Sequence, residues 1–242
     1  MIALIVGGSG GIGQALANTL MSMGYDVHAT YHHTSPVSTS DCDGKPKSTT
    51  SIQWYQCDVT CEDQIESLAS HFTSIDILIN TVGILHASEQ KPEKTITQLN
   101  PDAFLNSIAH NTLPTLLLAK HFHRQLNTKH KTFLISFSAR VGSISDNQRG
   151  GWHSYRCSKA ALNMAIKNIA IEWQIKVPQC CVVAFHPGTI DTSLSQPFQR
   201  HLPEGQLKSP QWVADKLCSL ICQWDQRASG LCYDYEGRVI PW

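Results

Sequence analysis

Gly7-Gly8-Ser9-Gly10-Gly11-Ile12-Gly13 follows the apolar run Ile2-Ala3-Leu4-Ile5-Val6 without a break, and this junction decides the fold. A short β-rich run that ends in glycines and opens into a helical period is the strand–loop–helix start of a βαβ unit. The loop calls for glycine because its backbone must turn tightly and approach a bound group with no Cβ in between. The helix behind it offers unpaired N–H groups and a partial positive charge, which suits phosphates. Gly7, Ser9, Gly10, Gly11, Ile12 and Gly13 are therefore the residues expected against a dinucleotide pyrophosphate, with G-x-x-x-G-x-G spacing.

Outward from that loop, short apolar runs alternate with longer segments of helical period. Strands are expected over 1–6, 25–31, 51–56, 75–80, 131–136, 180–186 and 231–235, and helices over 11–23, 60–72, 101–126, 153–175 and 210–224. This order implies an α/β fold of Rossmann type: a doubly wound parallel sheet of about seven strands, flanked by helices. No repeat or composition break divides the chain, so 1–242 reads as a single dinucleotide-binding and catalytic domain. Thr60 with Asp63 has the form of a capping box, and Ser209 before Pro210 is a cap followed by proline at the first helical position. Leu162, Ile166, Ile169 and Trp173 give one apolar face toward the sheet. The 101–126 helix carries Phe104, Ile108, Leu113, Leu116, Leu117 and Leu118 on more than one side, which predicts burial against both the sheet and a second subunit. Residues 33–50, rich in Ser, Thr, Pro, Asp and Lys, read as a surface loop.

Composition excludes several classes. Lys plus Arg equals Asp plus Glu at 19 each, so no basic field for nucleic acid is implied. No apolar run approaches the roughly 20 residues of a membrane span, and the first residues lack a signal peptide's basic start. A cytoplasmic protein is expected, with neither nucleic acid nor membrane as partner. The nine cysteines and twelve histidines fall outside zinc spacing, so no metal is expected and the thiols read as free, mostly core residues.

Tyr155-Arg-Cys-Ser-Lys159 opens the helix at 153–175 and sets a phenol and an ammonium on one face. A nearby cation favours phenolate, so Lys159 together with the oxidised ring of a bound nicotinamide dinucleotide is expected to lower the Tyr155 pKa from near 10 toward working pH.

With the tyrosine–lysine pair some 140 residues after the glycine loop, the chain resembles the short-chain dehydrogenase/reductase family over its whole length. The matching residues are Gly7-x-x-x-Gly11-Ile12-Gly13, Cys57-Asp58-Val59, Asn80-Thr81-Val82-Gly83, Asn111, Tyr155-x-x-Ser158-Lys159 and His186-Pro187-Gly188-Thr189-Ile190-Asp191-Thr192. Val141 to Asn147, with Gly150-Gly151-Trp152, is similar to the C-factor-like branch. The resemblance implies an oxidoreductase that moves hydride between a nicotinamide dinucleotide and a small carbonyl or secondary alcohol. In it Tyr155 acts as acid/base, Lys159 supports it and binds the ribose, and Asn111 holds a relay water. Asp58 and Val59 would meet the adenine; Asn80 and Gly83 would line the central groove. Pro187, Gly188, Ile190 and Thr192 would hold the nicotinamide. A homodimer or homotetramer is implied as well.

Three departures qualify that picture. Asn-Asn-Ala-Gly of the family stands here as Asn80-Thr81-Val82-Gly83. Counting back from Gly142 puts Ala139 where the catalytic serine belongs; Ser138 is the favoured substitute, with Ser143 a further candidate. A one-residue shift along a strand reverses the face of a side chain. Finally, the second strand ends Thr30-Tyr31-His32-His33 with no acidic residue to hold a ribose 2′-hydroxyl, which favours NADP(H), with His32 toward its 2′-phosphate. The alternative is a non-catalytic dinucleotide-binding regulatory or signalling protein on the same fold, which would need no proton relay. Residues 193–208 read as a lid with Leu194, Phe198 and Leu202 facing a partly apolar substrate.

Overall fold

Successive residues of a strand point to opposite faces, and this chain makes both faces of its strands apolar, so the sheet must be covered on both sides. In β1 (Ile2–Val6), Ala3 and Ile5 enter one core and Leu4 and Val6 the other. The computed structural model describes residues 1–34, 36, 51–86, 91–203 and 205–242. Most of the 33–50 segment lies outside the described residues.

The remaining strands are β2 (Asp26–Tyr31), β3 (Gln53–Gln56), β4 (Ile77–Asn80), β5 (Thr132–Phe137), β6 (Cys180–His186), β7 (Thr189–Ile190), β8 (Leu207–Lys208), β9 (Leu231–Asp234) and β10 (Val239–Ile240). Eight form the main sheet in the order β10-β9-β6-β5-β4-β1-β2-β3, parallel except for the short β10, which accounts for the count above seven. β7 and β8 pair separately, tying the 193–208 segment back at its end. Between them the chain forms a 3-10 turn over Gln196–His201.

Among the described residues six α-helices cover the sheet: α1 (Gly11–Ser22), α2 (Glu62–Ser70), α3 (Pro101–Asn111), α4 (Leu113–Leu126), α5 (His153–Lys176) and α6 (Pro210–Gln223). Leu16 and Leu20 of α1 join Val213 and Leu217 of α6 on one face. Leu118 and Phe122 of α4, with Leu162, Ile166, Ile169 and Trp173 of α5, fill the other. Phe122 is fully buried, so truncating it to alanine would cost about 3–5 kcal/mol. The strand order reverses at β1, whose neighbours are β2 and β4. A crevice opens at the carboxyl ends of strands where the winding changes direction. Here those ends are Val6, which runs into Gly7, and Asn80, which runs into Thr81.

Two local expectations are corrected. The 101–126 segment is two helices, because Pro114 has no N–H for the carbonyl one turn back and Thr112 (ψ −54°) turns its hydroxyl to the Ser158 carbonyl at 2.8 Å. The Thr60–Asp63 capping box does not form: Cys61 is the N-cap of α2, and the Thr60 hydroxyl donates to Asp58 Oδ1 instead. Ser209 does cap α6, accepting from the Trp212 N–H. Leu117 and Leu118 are buried, while Leu105, Leu113 and Leu116 stay exposed, as do Met164, Ile171 and Ile175 of α5. Of the described cysteines, Cys57, Cys180, Cys181, Cys218 and Cys232 are buried, and all eight are free thiols.

Candidate active site

The crevice at the reversal is an open groove of about 330 Å³. Its floor at one end is Gly7 to Gly13. Gly7 sits at φ +83°, and a Cβ there would meet Thr81 Oγ1 at 2.7 Å; a Cβ on Gly13 would meet the Gly7 carbonyl at 2.3 Å. Glycine at these two positions lets α1 start against the strand end. Two threonines that the sequence reading passed over secure the loop. Thr30 accepts from the Gly7 N–H at 2.9 Å, and Thr81 donates to the Val6 carbonyl at 2.9 Å. α1 has no side-chain cap at Gly10 and no acidic residue in its first turn, so its first N–H groups stay available for an anion. Space without Cβ atoms, uncapped N–H groups and a groove running on to Tyr155 together fit a dinucleotide.

The other end is made of side chains. Tyr155 and Lys159 both line the groove, one helical turn apart on α5. Lys159 Nζ donates to the Phe137 carbonyl at 2.9 Å and lies 5.8 Å from the Tyr155 ring centre. Gly142 allows this approach of helix to strand end, since a Cβ there would fall 2.8 Å from the Lys159 backbone. Burial pushes the Tyr155 phenol up to about 12, although its ring stays partly exposed on the groove side, and pushes the Lys159 ammonium down to about 8. The expected lowering of Tyr155 by Lys159 is thus not achieved by the chain's own groups. Desolvation outweighs the attraction, and the ammonium is turned to a carbonyl.

The serine question turns on strand parity. Leu134 and Ser136 face the α4–α5 side, with Ser136 Oγ 2.8 Å from Thr115 Oγ1 of α4, and Ser138 continues on the same side. Ser138 lines the groove, and its hydroxyl donates to Asn163 Oδ1 of α5 at 2.6 Å. Ser143 lies in a turn, accepting from the Asp146 N–H.

Asn111 is 1% exposed and ends α3. Its side chain accepts from the Ile84 N–H at 2.7 Å and donates to the Ile84 carbonyl and to Ser158 Oγ, joining the loop after β4 to α5. Asn80 has a similar part: it donates to Thr115 Oγ1 and accepts from the Val82 N–H. Gly83, Pro187 and Thr192 line the groove with Ser193 and Leu194.

Other expected residues stand outside that lining. Val59 and Ile190 are 7% and 3% exposed and belong to the two cores, and Gly188 packs on the Tyr235 ring. Asn80, Asp58 and His32 are also outside it. Asp58 accepts from the Thr60 hydroxyl and N–H, which hold its carboxyl below the usual range. Its other oxygen is 3.7 Å from His32 Nε2, and the exposed His32 ring stacks on His33.

The sequence reading also missed Glu93, which is 4% exposed. Its carboxylate accepts from the Ser154 hydroxyl and N–H, and its carbonyl from the Trp152 N–H at 2.6 Å. Gly150, Gly151 and Trp152 are all left-handed, at φ +62°, +65° and +50°. A bulky residue in that region is strained, and such strain concentrates at functional sites. Glu93 supplies from across the fold the cap that Trp152 cannot give α5. An acid inside Lys91-Pro92-Glu93-Lys94 carries no local signal of this role.

Among the described residues no cluster of metal-ligating side chains occurs, and no helix is long and apolar enough to cross a membrane. Over 244 residues the chain is 27% identical to 1-hydroxy-2-glutathionyl-2-methyl-3-butene dehydrogenase of Rhodococcus sp. (strain AD45), covering 99% of this chain and 98% of that one. It is 32% identical to the C-signal protein of Myxococcus xanthus over 105 residues, 43% of this chain and 58% of that one. The NADPH-bound carbonyl reductase from chicken fatty liver shares the fold, with a TM-score of 0.78, 21% identity, and coverage of 99% and 98% of the two chains. Residues 1–203 match the short chain dehydrogenase family, and the chain belongs to that family of oxidoreductases.

Proposed function

We propose that this chain reduces a small carbonyl compound, or oxidises the matching secondary alcohol, with NADP(H), and that Tyr155 carries the proton. The observation that supports this most is the meeting of the glycine loop, Ser138, Tyr155 and Lys159 along one groove. The nicotinamide supplies or accepts the hydride when bound. Reduction adds that hydride to the carbonyl carbon and a proton to its oxygen. A phenol pushed up to about 12 is protonated at neutral pH, which is the donor form reduction needs. Lys159, as a cation one turn away, would favour the phenolate left behind and would bind the ribose of the cofactor. Pro114 has no N–H to give the His110 carbonyl one turn back, a place for a relay water next to Asn111. Ser138 can polarise the substrate oxygen once its hydroxyl turns from Asn163. The end of β2, where His32 stands and no acidic side chain follows Thr30, supports the 2′-phosphate reading, and the likeness to an NADPH-bound carbonyl reductase agrees with it. Gly83, Pro187 and Thr192, which line the groove, would meet the nicotinamide half of the dinucleotide and Asp58 its adenine, while Val59, Asn80, Gly188 and Ile190 would support those loops from behind. The exposed apolar strip across α3, α4 and α5 supports a homodimer or homotetramer, and the free thiols suit the cytoplasm.

Parallel titration with NADPH and NADH, followed by nicotinamide fluorescence, tests the cofactor; tighter NADH binding overturns the preference. Turnover tests Tyr155: Tyr155→Phe should lose at least about a hundredfold in kcat with NADPH still bound. A variant that keeps its rate rules out the phenol as proton donor.

A further inference from the structure

The groove ends at a file of rings. Trp152 stands edge-on to Tyr155 with centres 6.3 Å apart, Phe198 meets Trp152 at 5.3 Å, and His86 meets Phe198 at 5.9 Å. All four rings keep part of their surface exposed. They come from three distant segments: the loop after β4, the left-handed turn before α5 and the turn over Gln196–His201. The strained backbone of Trp152 is held by the Glu93 carbonyl, and its ring lies between those of Tyr155 and Phe198. His86 closes the file with a buried Nε2 that has no hydrogen-bond partner among the described residues. A buried polar atom left unpaired costs about 1–3 kcal/mol, which a bound group can recover. Charge is scarce here: among the described residues, Lys159 is the one cationic side chain lining the groove. Glu93, the nearby acid, is already engaged by Ser154.

We propose that Trp152, Phe198 and His86 form the specificity subsite of this enzyme, and that it takes the flat aromatic arm of an uncharged ketone or aldehyde. His86 reads a hydroxyl or ring heteroatom on that arm. The subsite rests on the reductase reading, since the carbonyl must lie at Tyr155 for its arm to reach the rings. π-faces and edges on that side discriminate an aromatic ring from a saturated one of similar size, because stacked and edge-on pairs contribute beyond the area they bury. Beyond Tyr155, the three rings of the file offer a carboxylate arm no lysine or arginine among the described residues. The His86 ring nitrogen can donate or accept according to tautomer, so it can serve either partner.

Acetophenone, cyclohexyl methyl ketone and the hydroxyacetophenones are the probes. Turnover is read by NADPH consumption, and binding to the protein–NADP⁺ complex by saturation-transfer NMR. Acetophenone should be bound and reduced about tenfold better than its saturated counterpart, the sum of two aromatic contacts. Phe198→Leu and Trp152→Asn should bring that ratio toward one; the asparagine tolerates the left-handed backbone. His86→Phe keeps the ring, and should remove only the advantage of a hydroxylated ring. Equal handling of the aromatic and saturated ketones, or a ratio that neither variant moves, overturns the subsite while leaving the reductase reading intact. Ring-selective binding without turnover does the reverse. If no ketone is bound or reduced, both fall.

Discussion

The two ends of the groove are built from different materials. At the glycine end the working groups are main-chain N–H groups and the absence of side chains, fixed within a few residues of β1 and α1. At the tyrosine end they are buried polar side chains, gathered from Glu93, Asn111, Ser138, Tyr155 and Lys159. The first kind of site is stable by construction, since its N–H groups are orphaned by helix geometry in any case. The second opposes folding: an ammonium pushed down to about 8 is a charge the interior does not favour. Recognition in this fold is backbone work that adds little burden, whereas proton transfer is side-chain work that folding must offset elsewhere.

Gly13→Ala is the strongest challenge to the glycine end. Its Cβ would sit 2.3 Å from the Gly7 carbonyl, so the loop must move away from α1. A loss of about a hundredfold or more in NADPH affinity is expected, roughly 3 kcal/mol by fluorescence titration; near-normal binding would show that the loop is not the cradle.

Lys159→Met tests the burden at the other end. The folded pKa of about 8 lies below the ordinary 10.5, so between those values the unfolded chain binds more protons than the folded one. Stability from this group therefore rises with pH across that window, and the cost is fully present below pH 8. The variant should lose activity yet be more stable at pH 7 by up to about 3 kcal/mol, and its stability should no longer climb between pH 8 and pH 10. Denaturant melts at several pH values decide it. A variant less stable at pH 7 would mean that the Phe137 contact outweighs desolvation.

Glu93→Gln keeps the shape of the cap on α5 but removes its charge. A loss of about 1–2 kcal/mol is expected, along with a lower kcat at unchanged NADPH affinity, because the helix start that aims Tyr155 loosens. Unaltered kcat would separate the cap from catalysis. The smallest effect belongs to Gly11→Ala, where a Cβ meets only ordinary contacts at 3.5 Å and beyond. Binding should stay within about threefold and stability should rise by a few tenths of a kcal/mol. A large loss there would show that more of the loop than Gly7 and Gly13 must be bare.

Legibility divided along the same line. The strand runs, the helix periods and the glycine loop were readable because each depends on neighbours in sequence. So was the Tyr155–Lys159 pair, whose spacing is one helical turn. The split of 101–126 at Thr112 was hidden, because its cause includes a hydroxyl turned to Ser158 on another helix. The Thr60 cap failed for a similar reason, since Asp58 competes for the hydroxyl.

Sequence alone carried the α/β class and the glycine loop, through local geometry and the pattern of apolar residues, and the family, through the resemblance of its motifs. Only the tertiary structure decided that Ser138 shares a side with α5, that burial pushes the Tyr155 phenol up, and that Glu93 holds the start of its helix. It alone aligned His86, Phe198 and Trp152. Those outcomes depend on desolvation and on contacts between residues far apart in the chain, and neither quantity is written in the spacing of letters.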